Sequence, residues 1–323
     1  MSYKEIVNND IVLEKKEAPD VQEASTLNSD HKILIDAAYK KLLSIKVEEP
    51  YSEDYLNEDQ FINKPGYTEK EIEKCKKNVK IFEEEQTKDE TLSEKEVREK
   101  SEILEYIIFE QGERGNWFGE FAHTIKVCKY DDIMNGVDVM IETRDLSEDY
   151  SDDIVDEKKF SYLGLATDIT FERMNNAIGV EKDIPKKFRR IKDEIADGSL
   201  ANINFFKSRF SSESKRLINV PRVVLNIDSR IVNELMELWV NGKNEELANH
   251  RIQVIILYQI CSQLKVYEEY AEECRRKAIA KILNQSYEEF NEVRLQKKNE
   301  FPQHAKGLDL EAMKEGYRAI LKI

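Results

Sequence analysis

The sequence contains no apolar run near 18 residues, the length a membrane-crossing helix requires, so no transmembrane segment is predicted. Its opening residues, MSYKEIVNNDIVLEKKEAPD, include no uninterrupted apolar stretch of the signal-peptide kind, and secretion is not expected. Cysteine is scarce and scattered. Cys75, Cys128, Cys261 and Cys274 show no C-x-x-C spacing, which argues against a zinc site or a disulfide framework and for reduced thiols in a cytoplasmic protein. G-x-G-x-x-G, the Walker A loop and G-x-S-x-G are all absent. A basic excess is lacking as well. With 65 acids against 50 lysines and arginines and a net charge of -15, the chain is a poor general coat for nucleic acid or for anionic membranes.

Histidine is too sparse for a metal bundle. Glu120 and His123 stand at the i, i+3 spacing of a di-iron pair, but such bundles need a second copy of that motif, and none is present. His123 and Cys128 are close in sequence, which alone does not make a nucleophilic pair. His31, His250 and His304 are isolated and read as surface or packing residues.

At 323 residues the chain is long enough for one large domain or two ordinary ones. Residues 1–30 are polar without a sustained period and read as a disordered tail. Residues 31–92 read as a charged helical arm on flexible connectors. In HKILIDAAYKKLLSI, Ile33, Ala37, Leu42 and Ile45 approximate one stripe, and Thr68 with Glu71 forms a capping box. Ser93 with Glu96 reads as a second box, opening the helix SEKEVREKSEILEYIIFEQGE. This arm is either a solvated adaptor or a surface for a protein partner.

Residues 93–270 read as an α/β core. Strand candidates lie in HTIKVCKY, GVDVMIET, YLGLATDITF, ANINFFKSRF and VPRVVLNID. YLGLATDITF is so continuously apolar that it suits a strand covered on both faces. RDLSEDYSDDIVDEKK, between the second and third strands, reads as a solvated acidic loop. SRIVNELMELWVNG is a helix with Ser229 as its cap and Gly242 as its stop. Residues 271–323 are predicted to be a C-terminal helical extension. The fold class is therefore α/β, with an open mixed sheet flanked by helices.

Two of these strands carry an acid inside an apolar run. Asp138 shares a strand face with Met140 and Glu142, and Asp168 shares one with Ala166 and Thr170. If those faces align, two carboxylates converge, an arrangement that needs a shared proton or a cation. A hard ion such as Mg²⁺, held by one or two carboxylates plus waters, is the usual remedy. Glu120, just upstream, is a third candidate. Other readings are open for each residue: a strand-end cap for Asp138, a buried ion pair with lysine or arginine for Asp168, and a solvated helix position for Glu120.

The order Glu120, Asp138, Asp168 on helix, strand and strand resembles the PD-(D/E)xK nuclease superfamily, whose core runs helix-strand-strand-strand-helix-strand. NGVDVMIE resembles the strand that supplies the first aspartate, and TDIT occupies the (D/E)-x-K position. The likeness covers roughly residues 100–270 and implies a restriction-endonuclease-like sheet. It also implies Mg²⁺ or Mn²⁺ held by Glu120, Asp138, Asp168 and the backbone carbonyl of Ile169, with hydrolysis of phosphodiester bonds in DNA or RNA. One departure is plain. Thr170 stands where the family has its lysine, and Lys207 is the local substitute that the sequence offers. The alternative function is a nuclease-fold protein without catalysis, acting as a binding or assembly component.

The basic cluster KKFRRIK, Lys186–Lys192, lies in the one clearly basic stretch of an acidic chain. The segment 182–216 is the expected contact for nucleic acid. Its other reading is an amphipathic helix with a solvated basic face.

Overall fold

The computed structural model describes residues 21–48, 56–88, 90–144, 162–172, 183–210 and 213–321. The alternating strands form a four-stranded sheet. Strands β1 (Ala122–Lys126), β2 (Val139–Arg144) and β3 (Tyr162–Glu172) pair antiparallel in sequence, and β6 (Arg222–Asp228) lies parallel to β3. A parallel neighbour requires a crossover. Here it is made by helix α4 (Asp183–Asp197) and a hairpin of β4 (Ala201–Lys207) and β5 (Ser214–Val220), which forms its own two-stranded sheet. The remaining helices among the described residues are α1 (Val21–Glu48), α2 (Glu69–Thr87), α3 (Leu92–Arg114), α5 (Ser229–Val240), α6 (Asn244–Ala248), α7 (Ile252–Glu273), α8 (Lys277–Glu300) and α9 (Leu310–Leu321). The chain is thus mixed α/β and mostly helical.

Both faces of the sheet are covered, which is why the central strands lack a polar side. Val139, Ile141, Leu165, Ile169, Val223 and Leu225 join a large core formed with the helices. On the opposite face, Ile125, Met140 and Ala166 join a smaller core with Phe205 and Phe206 of the hairpin and with Leu56, Phe61, Tyr67 and Ile72 from the chain before α3. The region read as an arm is therefore built into both cores. Among the described side chains of α1, Ile35, Ala38 and Leu42 are buried, whereas Ile33 is exposed, so the buried stripe is rotated from the expected one. The C-terminal helices are also integral: Ile279, Leu283, Phe290 and Tyr317 belong to the large core. Residues 21–30 of the expected tail are helical, as the start of α1, whereas residues 1–20 and residues 145–159 of the acidic loop lie outside the described residues.

Local signals differ from expectation by a residue or two. Thr68 and Glu71 form their box, but α3 is capped by Thr91 with Glu94 rather than by Ser93. The cap of α5 is Asp228, whose side chain accepts from the Arg230 amide. Ser229 is buried instead and receives Lys100 Nζ at 2.7 Å. Strand β5, SKRLINV, has no apolar alternation to announce it and is half exposed.

The β6 edge is closed by side chains. Gln259 of α7 accepts from Asn226 N and donates to Asn226 O, and Gln263 does the same with Val224. Four residues of helix rise about 6 Å and two residues of strand about 6.6 Å, so the two repeats match.

Lys100 of α3 is buried. Its ammonium reaches Ser229 and Asn233 Oδ1, both at 2.7 Å, and lies 5.0 Å from the Phe171 ring centre. Burial pulls its pKa down to about 8, against a small opposing pull from Asp228. The unfolded lysine keeps its proton to about pH 10.4. Between these values the unfolded state binds more protons, so stability rises with pH. The wild type is expected to gain up to about 3 kcal/mol from pH 7.5 to 10 relative to Lys100→Met. Urea unfolding of both proteins across that range checks it, and parallel curves would count against it.

Candidate functional site

The β2–β3 ladder ends at Val139↔Thr167, and Asp138, one residue outward, leaves that register to lie beside Ile169 and its neighbour Asp168. The two carboxylates lie close enough to repel each other, and both attract the Lys187 ammonium. Asp138 Oδ2 accepts from the Ile169 amide at 2.6 Å, and its own amide donates to Thr167 O at 2.8 Å. Both aspartates are buried. Burial raises the Asp138 carboxyl well above the usual range, and the negative charges of Glu105, Asp132 and Asp168 act in the same direction.

Cations surround the pair. Lys187 of α4 donates to Asp168 Oδ1. Burial pulls the Lys187 ammonium down, but Asp168 and Asp138 more than offset that, so it holds its proton more tightly than a free lysine. Glu105 of α3 pairs with Lys126 of β1 at 2.6 Å, and Lys126 sits opposite Val139, beside Asp138. Burial raises the Glu105 carboxyl, and Lys126 opposes this.

The turn leading into Asp138 is clamped. Residues Asp131–Asn135 form one π-helical turn ended by Gly136 in the left-handed region at φ 61°. The conformation itself favours glycine. A Cβ at Gly136 would also lie 3.1 Å from Arg190 Nη1 and 3.7 Å from Arg222 Nη1. Arg190 donates to Met134 O at 3.3 Å, and Arg222 donates to Asn135 O and to both oxygens of Glu194 at 2.6 Å.

Of the residues read from sequence, Asp138, Asp168 and Ile169 come together. Ile169 meets Asp138 through its amide. Glu120 does not join them. It is exposed in the turn before β1, at the end of the sheet where Ala122 pairs with Thr143, five residues of β2 from Asp138. The helical acid that faces the pair is Glu105, one element earlier. Lys207 is also elsewhere. It ends β4, next to Ser208, whose hydroxyl donates to Glu142 at 2.6 Å. Glu142 is four residues along β2 from Asp138, roughly 13 Å at strand rise. Thr170 pairs with Asn226 in the β3–β6 ladder. Lys187 had a visible signal. It lies four residues before Ile191 and next to Phe188, both core residues of α4, so it flanks the buried stripe.

Among the described residues, no group of three or more His, Cys, Asp or Glu is arranged to hold a metal ion. No helix there is long and apolar enough to cross a membrane. No protein-family model matches the chain, and comparisons with curated proteins and with solved structures find no match.

Proposed function

We propose that the chain carries a PD-(D/E)xK nuclease-like core that hydrolyses phosphodiester bonds of DNA or RNA with Mg²⁺ or Mn²⁺. The observation that carries this reading is the Lys187 ammonium on Asp168, beside Asp138. It supplies from α4 the charge that Thr170 cannot supply from β3. The order α3, β1, β2, β3, α4, β6 supports it too, being the helix-strand-strand-strand-helix-strand order of that superfamily with the β4–β5 hairpin inserted before the last strand.

The donor chemistry suits a hard cation. Asp138 and Asp168 offer oxygen ligands only, and Mg²⁺ is commonly held by one or two carboxylates plus waters. Burial chiefly raises the Asp138 carboxyl, and the acidic neighbours that add to it are the kind of charge excess a divalent ion offsets. Such an ion, when bound, supplies Lewis-acid activation of water and charge neutralisation on phosphate. The chain's own residues do the rest. Lys187 moves its charge from Asp168 to a phosphoryl oxygen, where a fixed donor stabilises charge that develops in the transition state. The Ile169 amide fixes the Asp138 carboxylate, and the Arg190–Arg222–Glu194 clamp fixes the turn that delivers it.

One observation favours the second reading, a nuclease-fold binding or assembly component. Lys187 on Asp168, Lys126 on Glu105 and the Ile169 amide on Asp138 already satisfy all three acids. Thermal melting separates the two. Mn²⁺ at about 100 times its dissociation constant stabilises by about 2.7 kcal/mol, which is expected as a rise of several degrees. That rise is expected to vanish in Asp138→Asn/Asp168→Asn. Melting that ignores Mn²⁺, or a shift kept by the double variant, would remove the metal reading. Mn²⁺-dependent cleavage of short DNA and RNA, lost in the double variant, is the matching activity test.

A further inference from the structure

We infer that the outer face of the N-terminal half of α4, Lys186, Arg189 and Arg190, is a phosphate-binding strip that holds two phosphates of a nucleic-acid strand beside the carboxylate pair. This inference rests on the phosphodiesterase reading of that pair and names where its polyanionic substrate lies.

Lys186, Arg189 and Arg190 stand at i, i+3 and i+4, so they share one helix face. All three are exposed and line a groove of about 350 Å³ on α4. The strip adjoins the site through two contacts. Lys187, the next residue, reaches Asp168, and Arg190 holds the Met134 carbonyl in the turn before Asp138. Lys186 to Arg190 spans about 6 Å of helix axis, close to two nucleotide steps at about 3.4 Å each.

The other cations of the basic segment are engaged differently. Arg216 pairs with Glu71 at 3.4 Å and lies over Tyr67, and Lys215 pairs with Glu213 at 3.5 Å. Within the strip, Arg190 pairs with Glu194 at 3.3 Å, and Arg189 makes no ion pair or hydrogen bond among the described residues. The groove also has a boundary. Its far end is lined by Asp193, Glu194 and Asp197, which repel phosphate, so a strand follows only the first half of the helix. In a chain of net charge -15 this confines a polyanion to one short track leading to Asp138 and Asp168.

The test is fluorescence anisotropy in EDTA, so that binding is read without cleavage. The probes are labelled 20-nucleotide single-stranded DNA, duplex DNA and single-stranded RNA. Lys186→Glu/Arg189→Glu is expected to weaken binding at least tenfold. Lys70→Glu/Lys74→Glu, the same charge change at exposed positions of α2, is expected to stay within twofold. Arg189→Ala is a milder variant of the strip, and it should reduce the slope of log affinity against log salt by about 0.9 for duplex DNA or 0.7 for a single strand. Equal loss in both double variants would overturn the strip. So would no binding of any probe by the wild type, or binding of poly-glutamate alone. The two claims fail separately. A strip variant that still cleaves like the wild type removes the strip and keeps the phosphodiesterase. Selective loss of binding in a protein that cleaves nothing removes the phosphodiesterase and keeps the strip.

Discussion

Lys187→Met is expected to lower Mn²⁺-supported cleavage by about 100-fold or more, the usual loss when one fixed donor at a developing charge is removed. The same substitution leaves Asp168 buried without its cation. Breaking a buried pair costs about 3–5 kcal/mol. With Lys187 partly open to solvent and Asp168 able to take up a proton, about 1–3 kcal/mol is expected here. The pH dependence follows from that proton. Burial already raises the Asp168 carboxyl against the pull of Lys187, and without Lys187 it rises further above the ordinary aspartate value near 3.9. The folded state then binds more protons than the unfolded one, so the variant loses stability relative to wild type as pH rises through the weakly acidic range. Lys187→Arg keeps the charge and is expected to recover most of the stability. Cleavage of unchanged rate in Lys187→Met would show that Lys187 is a structural counter-ion, and the binding-component reading would then gain.

Asp131→Ala is expected to destabilise the protein by about 3–5 kcal/mol, the scale set by orphaned buried partners. Asp131 is fully buried and accepts from Asn204 N at 2.8 Å, Phe205 N at 2.9 Å, Asn135 Nδ2 at 2.6 Å and Cys128 Sγ at 3.5 Å. The two amides are available because β4 is irregular there. Its register with β5 shifts between Ile203 and Phe206, so both residues between them turn their N–H groups outward onto one carboxylate. A second carboxylate, Glu142, holds the end of the hairpin through Ser208 and the Arg209 amide. Loss of Asp131 frees the hairpin from the turn that delivers Asp138. Its neighbour Asp132 makes one ion pair with Lys129, and Asp132→Ala is expected to cost well under about 1 kcal/mol. Urea unfolding of both variants checks the contrast, and similar midpoints would contradict it.

The contrast between Asp131 and Asp132 shows where sequence reading reaches its limit. Strands β1, β2, β3 and β6 are legible because burial on both faces leaves apolar runs that few other structures explain. Asp138 and Asp168 are legible as charges interrupting such runs. Asp131 is not, since a DD pair before a glycine turn looks like solvated loop until the partner amides, more than 70 residues away, are in place. Glu105 is hidden among the many acids of a charged helix. Lys187 lies inside a basic cluster that draws notice as a group, and only its position beside Phe188 and Ile191 separates it from Lys186 and Arg189. Glu120 misled because it stands near the strand in sequence while the turn before β1 carries it to the opposite end of the sheet. The C-terminal helices read as an extension because nothing local shows that Phe290 and Tyr317 fold back into the core.

The paired glutamines of α7 have a consequence for assembly. Exposed strand edges invite other chains to add strands, and proteins protect them by covering or charging them. Gln259 and Gln263 use a helix to imitate the next strand, and Tyr267 braces the second glutamine through its hydroxyl at 3.0 Å. The β6 edge is thereby closed to recruitment. Copies of this chain that associate cannot do so by adding a strand beside β6. Any lesion that strips both amides from α7 converts a finished border into a template for aggregation.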